Sequence, residues 1–269
     1  MGINLSKNEE QLTNEIMGKI NLAKDKDKLG GHVVNLSKCV IDLSKKAQVD
    51  IGNVRARVIT VLDYSGSMSR MYKDGTVQKT LDKLMPLGLT FDDNGEIEVY
   101  LFHNGYKKLP ELTIDNYDTY VTNVIDKSGF SMGGTEYAPV LKAIRDIHNV
   151  NKGAAKGGLF GGLFGKKATV EVVENADEII FIVFITDGDN SDKKQTDEVV
   201  REMSHMKDFI QFVGIGSARF DYLEELDDLD GRACDNTGFT KFTDVASVSD
   251  DVLYANVLEQ FADWLKVMG

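Results

Sequence analysis

The chain is poor in cysteine, in long apolar runs and in positive charge, and each shortage removes a class of protein. Its two cysteines, Cys39 and Cys234, stand far apart without Cys-x-x-Cys spacing, which fits a reduced, cytoplasmic setting. No stretch reaches eighteen consecutive apolar residues, so no membrane-spanning helix is expected. Lys and Arg number 31 against 43 Asp and Glu, and the net charge of −12 argues against a nucleic-acid groove and for solubility. The start, Met1-Gly2-Ile3-Asn4-Leu5, lacks the charged-then-apolar order of a secretory leader. Met1, Gly2 and Ser6 do match positions of a myristoylation signal, a pattern short enough to arise by chance.

Common catalytic signatures are missing too. A serine-hydrolase elbow needs glycine two residues before its serine, and Asp63 holds that place ahead of Ser65. A phosphate-binding loop ending at Gly165-Lys166 would need glycine where Phe160 stands and a hydroxyl where Lys167 stands. Gly214-Ile215-Gly216 has Arg219 in place of the third glycine of a dinucleotide fingerprint. None of His32, His103, His148 and His205 adjoins the loops singled out below, and His103 reads as a polar residue closing a strand.

What remains is ample material for a core. With 42% hydrophobic and 28% charged residues, the chain suits one large domain, or one domain with extensions. Residues 1–52 read as a helical extension, in which a phrase of the type Ile3-Asn4-Leu5-Ser6-Lys7 recurs at uneven spacing and therefore not as a solenoid. Leu12, Ile16, Ile20 and Ala23 predict a helix from about Glu9 to Lys24, with Asp25-Lys26-Asp27-Lys28 as a solvated break and a second helix over Val33 to Lys46. These helices are expected to cover a face of the main domain or to act as a docking arm.

From residue 53 to 269, strand-like and helix-like segments alternate. This order predicts an α/β domain, doubly wound, with a mostly parallel sheet flanked by helices. Expected strands are Arg57 to Leu62, Glu96 to Phe102, Glu178 to Ile185 and Phe209 to Ile215. The third of these is apolar without alternation, which marks a central parallel strand. Helices are expected from Met71 or Val77 to Leu87, over Tyr117 to Ile125, over Glu136 to His148 with Ala138, Leu141, Ile144 and Ile147 on one face, over Asp192 to His205, over Tyr222 to Leu226 and over Val252 to Val267. Residues 153–169 are too rich in glycine for either element and predict a flexible loop. Its two Leu-Phe pairs beside lysines read as a linker, or as a contact for a protein partner or a membrane surface.

The most informative feature is Asp63-Tyr64-Ser65-Gly66-Ser67, directly after the apolar run Val58 to Leu62. It sets one carboxylate and two hydroxyls at alternate positions on a strand tip, oxygen donors of the kind a hard divalent cation needs. In an open parallel sheet, ligands bind outside the carboxyl ends of strands, so other loops there should carry donors. Thr186-Asp187-Gly188 follows the third strand, and Gly133-Gly134-Thr135 precedes a helix. Ser67 or Thr135 alone would pass as a helix cap and Asp187-Gly188 as a turn. Their joint occurrence, in order and in context, makes Asp63, Ser65, Ser67, Thr135 and Asp187 candidate metal ligands.

Asp-x-Ser-x-Ser, then Gly-Gly-Thr, then Thr-Asp-Gly resembles the von Willebrand factor type A domain and its metal-ion-dependent adhesion site, from about Asn53 onward. The phrases Arg55-Ala56-Arg57-Val58, Leu62 to Met68, Phe91 to Gly95 and Gly133 to Val140 are most similar to the bacterial and phage TerF-like branch associated with tellurium resistance. The Ile-Asn-Leu-Ser-Lys phrase also resembles TerD-like domains, but some fifty residues cannot hold such a domain and its acidic calcium-binding sequences are absent.

The resemblance implies Mg2+, with Mn2+ or Ca2+ as alternatives, held by those five residues with some contacts through water, and a protein partner that presents an Asp or Glu carboxylate as the sixth ligand. It implies a non-enzymatic binding module, in a stress-response setting. Two other readings stay open at this point: a metal-dependent phosphate-ester hydrolase, which normally needs a second carboxylate where Ser65 stands, and a metal-free structural scaffold.

Overall fold

The computed structural model describes residues 3–20, 23–149 and 178–268. The glycine-rich segment 153–169, with its expected partner or membrane contact, and Met1-Gly2 lie outside the described residues.

Strands β1 (Ala56–Asp63), β2 (Ile97–Phe102), β3 (Tyr106–Leu112), β4 (Ile179–Thr186), β5 (Asp208–Ile215) and β6 (Thr237–Phe242) form a six-stranded sheet in the order β3-β2-β1-β4-β5-β6. All neighbours run parallel except β2 and β3. Because the side chains of a strand alternate between faces, each central strand feeds two cores. Val58, Leu62, Phe181, Val183, Phe209 and Val213 face one layer, and Ile59, Val61, Ile182, Phe184, Ile210 and Phe212 face the other. The first layer holds helices α1 (Glu9–Gly18), α2 (Ala23–Ala47), α4 (Thr76–Phe91) and α8 (Asp250–Met268). The second holds α5 (Ala138–Asn149), α6 (Lys193–Met203) and α7 (Asp221–Asp227), and the short α3 (Ser69–Lys73) follows the first strand. This is the expected doubly wound α/β architecture, and β4 is central as its unbroken apolar run predicts.

Several local expectations need correction. The break in the N-terminal helices falls before Ala23, not at Asp25-Lys28, which lie inside α2. Asp25 is wholly buried, accepts a hydrogen bond from the Tyr117 hydroxyl at 3.2 Å, and sits in the first helical turn, where a negative charge is favoured. The apolar stripe Leu29, Val33, Leu36 and Val40 carries the helix through Gly30-Gly31. Residues 69–91 form two helices because Gly75 takes a left-handed φ of 82° between them.

Residues 117–125 are a 3-10 turn and a π turn, not one α-helix, and the amide of Val121 is taken by the Gln78 side chain at 3.0 Å. On α5, Ala138, Leu141 and Ile144 are buried as expected, whereas Ile147 is 42% exposed. The edge strands β3 and β6 had no expectation: β3 contains Pro110 and mostly polar residues, as edge strands do.

Helix α2 lies between α1, α4 and α8, and its apolar stripe belongs to the same core as the sheet. Leu36→Ala should therefore lower the stability of the whole protein by about 2–5 kcal/mol. The measurement is the urea midpoint of the fluorescence of Trp264, the single tryptophan, which is buried on α8. An unchanged midpoint would mean that the N-terminal helices dock without supporting the domain.

Candidate metal centre

The sheet order reverses at β1, which pairs with β2 on one side and β4 on the other, and ligands of open α/β sheets collect outside such a point. Asp63 ends β1 and Asp187 follows β4, with Leu62 in register with Ile185. The carboxylate of Asp63 is completely buried. Its Oδ1 accepts from the amide of Ser65 at 2.8 Å and its Oδ2 from the hydroxyl of Thr186 at 2.7 Å. The Tyr72 hydroxyl, also buried, donates to the carbonyl of Asp63 at 2.9 Å and holds the strand end in place.

Around this anchor the hydroxyls close an arc. Ser65 Oγ and Ser67 Oγ lie 2.9 Å apart, and Ser67 donates to Asp187 Oδ1 at 2.8 Å. Asp63, Ser65, Ser67 and Asp187 thus share one hydrogen-bonded chain across two loops. Thr135 comes from a third loop, which is tied to both others. Gly133 bridges Ser65 in parallel fashion, with Gly66 N donating to Gly133 O at 3.1 Å. The carbonyl of Thr135 accepts from the amide of Ser191 at 3.0 Å. Among the described residues the Thr135 hydroxyl itself makes no hydrogen bond, so it is brought to the site but stands outside the arc.

The two glycines before Thr135 have a steric reason. A Cβ on Gly133 would sit 2.9 Å from the ring of His103, and one on Gly134 would sit 2.8 Å from the side-chain oxygen of Asn104. The tip of the β2–β3 hairpin is pressed against this loop, with Asn104 accepting from Gly134 N at 2.8 Å and donating to Glu136 at 3.0 Å. His103 is therefore no plain strand-end residue. It stacks on Phe130 with ring centroids 4.3 Å apart and walls the glycine loop.

Asp192, at the start of α6, ties that helix to the loop of Thr135. Asp192 is buried, and its carboxylate accepts from the amides of Tyr137 at 3.0 Å and Ala138 at 2.8 Å, capping α5 just after Thr135. Asn190 supports it at 2.6 Å. Asp189 is exposed and pairs with Lys193 at 3.1 Å. Thr186, missed as a site residue, is the side chain that holds Asp63; the signal was present, because a residue preceding Asp187 on a buried strand neighbouring β1 must lie beside Asp63.

Among the described residues neither Asp63 nor Asp187 has a Lys, Arg or His partner, and no group of three or more His, Cys, Asp and Glu side chains is placed to hold a metal. Burial pushes the Asp63 carboxyl up to about 6, against the hydrogen bonds from Ser65 and Thr186 that favour its charged form. Burial raises Asp187 as well. Two carboxylates without counter-charge, linked by hydroxyls whose lone pairs are available, match the preference of a hard divalent cation for oxygen. The donor set therefore fits such an ion, with Asp63, Ser65, Ser67, Asp187 and Thr135 as the residues able to hold it.

Residues 55–159 and 166–268 match the model of the vWA-TerF-like family, described as the vWA found in the TerF C terminus. The chain belongs to the TerF-like von Willebrand factor type A family. The match breaks over residues 160–165, inside the glycine-rich segment. The uncharacterized protein YcbR of Bacillus subtilis (strain 168) is 33% identical over 234 residues, 84% of this chain and 86% of YcbR. Among solved structures, proximal thread matrix protein 1 from the mussel byssus is similar at a TM-score of 0.49 and 18% identity, over 79% of this chain and 48% of that one. Manganese-loaded Plasmodium vivax TRAP protein is similar at a TM-score of 0.47 and 14% identity, over 78% of this chain and 74% of that one. The chain spans about half the length of the mussel protein, and at these identities neither likeness speaks to what the TerF-like chain binds.

Two outcomes follow from the geometry. Because folded Asp63 holds its proton more tightly than an ordinary aspartate at 3.8, it supports the metal-free fold at low pH and loses that contribution as pH rises towards 6, at a cost of about 3 kcal/mol above it. In chelator at pH 8, Asp63→Asn should melt at or up to about 4 °C above the wild type in a calorimetric scan, with the advantage gone at pH 4 and no gain from added Mg2+. A wild type that melts higher than the variant in chelator at pH 8 would contradict the uncompensated charge. Asp192→Ala should cost about 1–3 kcal/mol in urea unfolding, since it leaves two helix amides without an acceptor.

Proposed function

We propose that this TerF-like chain is a divalent-cation-dependent protein-binding module of a tellurium-resistance or stress-response type system, acting in the cytoplasm and without catalysis. Mg2+ is the proposed ion, with Mn2+ or Ca2+ as alternatives, and Asp63, Ser65, Ser67, Thr135 and Asp187 are its proposed ligands. The division into a helical extension over 1–52 and a type A domain over 53–269 is part of the same proposal. Among the described residues no helix is long and apolar enough to cross a membrane.

The observation that carries this reading is the pair of carboxylates, Asp63 and Asp187, joined by serine hydroxyls and lacking a cationic partner among the described residues. A bound Mg2+ would supply the missing positive charge and a coordination position that a partner's Asp or Glu carboxylate completes. The protein's part is to hold its donors rigid: Thr186 and Tyr72 fix Asp63, Asp192 and Asn104 fix the loop of Thr135 from either side, and Ser67 stays exposed toward the partner. Only two of the five donors are charged, which leaves the ion attractive to a third carboxylate.

The hydrolase reading finds less support. Asp63 is fully buried with both oxygens hydrogen-bonded, a poor position for a nucleophile, and Ser65 stands where a second carboxylate would be needed. The scaffold reading has one observation in its favour, that hydrogen bonds from Ser67 to Ser65 and to Asp187 join the two loops directly.

Calorimetric titration and a pull-down from the native host separate these readings. Wild type should bind Mg2+ and recover partners only with the ion present, and Asp63→Ala should weaken the ion by more than about 100-fold, beyond what loss of a supporting residue costs. Partners that are identical in Mg2+, in chelator and with Asp63→Ala would refute the bridging role. Absence of heat with Mg2+, Mn2+ and Ca2+ would favour the scaffold, and metal-dependent turnover of a phosphate ester would favour the hydrolase.

A further inference from the structure

A groove opens on the exposed side of Ser67, with a volume of about 490 Å³, lined by Gly66, Ser67, Ser69, Arg70, Lys73 and Asp74. It is continuous with the candidate metal centre, because Ser67 belongs to both. Two cations stand in it. The Arg70 side chain is 92% exposed, and its one ionic neighbour among the described residues is Asp74, 3.8 Å from Nε. Its terminal nitrogens make no hydrogen bond among the described residues, so the planar fork that grips carboxylates is open. Lys73 is exposed and likewise has no partner among the described residues.

The anion in the groove does not cancel them. Asp74 is a single carboxylate against two cations, and its Oδ1 is already held by the hydroxyl of Thr76 at 2.7 Å and the amide of Thr76 at 3.1 Å. Other cations near the strand ends are committed elsewhere. Lys193 pairs with Asp189 and lies 4.8 Å from the centre of the Tyr222 ring, and Lys107 donates to the carbonyl of Ser128.

This local surplus stands on a chain of net charge −12. An acidic partner is repelled by the molecule as a whole, and at physiological salt that field is screened within about 8 Å, so the charges beside the docking point decide. A nucleic acid would run its phosphates past Asp189 and the overall charge, whereas a short acidic peptide meets only the metal centre and the groove beside it.

We propose that Arg70 and Lys73 form a second recognition subsite, which receives another Asp or Glu side chain of the same peptide whose first carboxylate completes the metal centre. The partner segment is then an acidic pair rather than a single acid. This rests on the metal-bridged reading above and adds a requirement to it. Arg70 and Lys73 touch no metal ligand's oxygen, so they set which peptide is preferred without holding the ion.

The test uses the full chain and fluorescent ten-residue peptides in a Ser/Gly/Ala background. One peptide carries a single Asp, and four others add a second Asp one, two, three or four positions later. In Mg2+, anisotropy should show at least one of the four binding about five- to tenfold more tightly than the single-Asp peptide, the size expected of two exposed ion pairs. That gain should vanish in the double variant Arg70→Ala/Lys73→Ala and shrink between 50 mM and 500 mM NaCl. The variant should keep its calorimetric affinity for Mg2+ and its affinity for the single-Asp peptide. Equal binding of all five peptides by wild type, or a gain that survives in the double variant, overturns the subsite while leaving the metal-bridged reading standing. Binding that is indifferent to chelator and to Asp63→Ala, or no binding of any peptide, overturns both.

Discussion

One buried carboxylate, placed where the direction of the sheet order reverses, sets the terms for the rest of the site. Asp63 is shut off from solvent between β1 and β4, and a charge in that position is costly unless hydrogen bonds and a counter-charge offset it. The hydrogen bonds come from Ser65 and Thr186, but among the described residues no cation does. Burial thus raises the affinity of Asp63 for a proton and, by the same electrostatics, for a divalent ion. Half-buried Asp187, bonded to the exposed hydroxyl of Ser67, extends that negative potential outward to the surface.

The surrounding structure serves to keep this arrangement from relaxing. Oxygen donors on three loops would drift apart if each loop were free, and backbone bonds from Gly66 to Gly133 and from Ser191 to Thr135 tie the loops together. Asn104 and His103 hold the glycine loop from the hairpin side, and Asp192 holds it from the α5 side. The flat approach of that hairpin is possible only because positions 133 and 134 carry no side chain. Function and folding therefore meet in the same atoms: a change that loosens the caps costs stability and misplaces Thr135 together. The N-terminal helices contribute at a distance, since α2 shares the core in which α8 and the sheet are packed.

The reach of the sequence differs between the buried strands, the edges and the site. β1, β2, β4 and β5 were legible because strands covered on both faces are mostly apolar, and that pattern needs no knowledge of neighbours. β3 and β6 were not, since an edge strand such as Tyr106–Leu112 has polar residues and a proline that read as loop until a neighbour supplies its hydrogen bonds. The helix boundary near Asp25 was misplaced because a charged run looks solvated until Tyr117 and the core close over it. In the site, the five candidate oxygen donors could be named from strand-tip position and spacing. Asp192, His103 and Asn104 could not be assigned their roles, because each acts on a residue at least thirty positions away.

By itself the sequence determined the alternation of strand and helix, the family, and which oxygen-bearing side chains stand at the carboxyl ends of strands, because these depend on local pattern. The tertiary structure alone decided that Asp63 is sealed from water with no counter-charge among the described residues, that the glycine loop is gripped by a hairpin, and that Arg70 and Lys73 stand open beside Ser67. Those are properties of distance and dielectric between segments far apart in the chain, which no local pattern encodes.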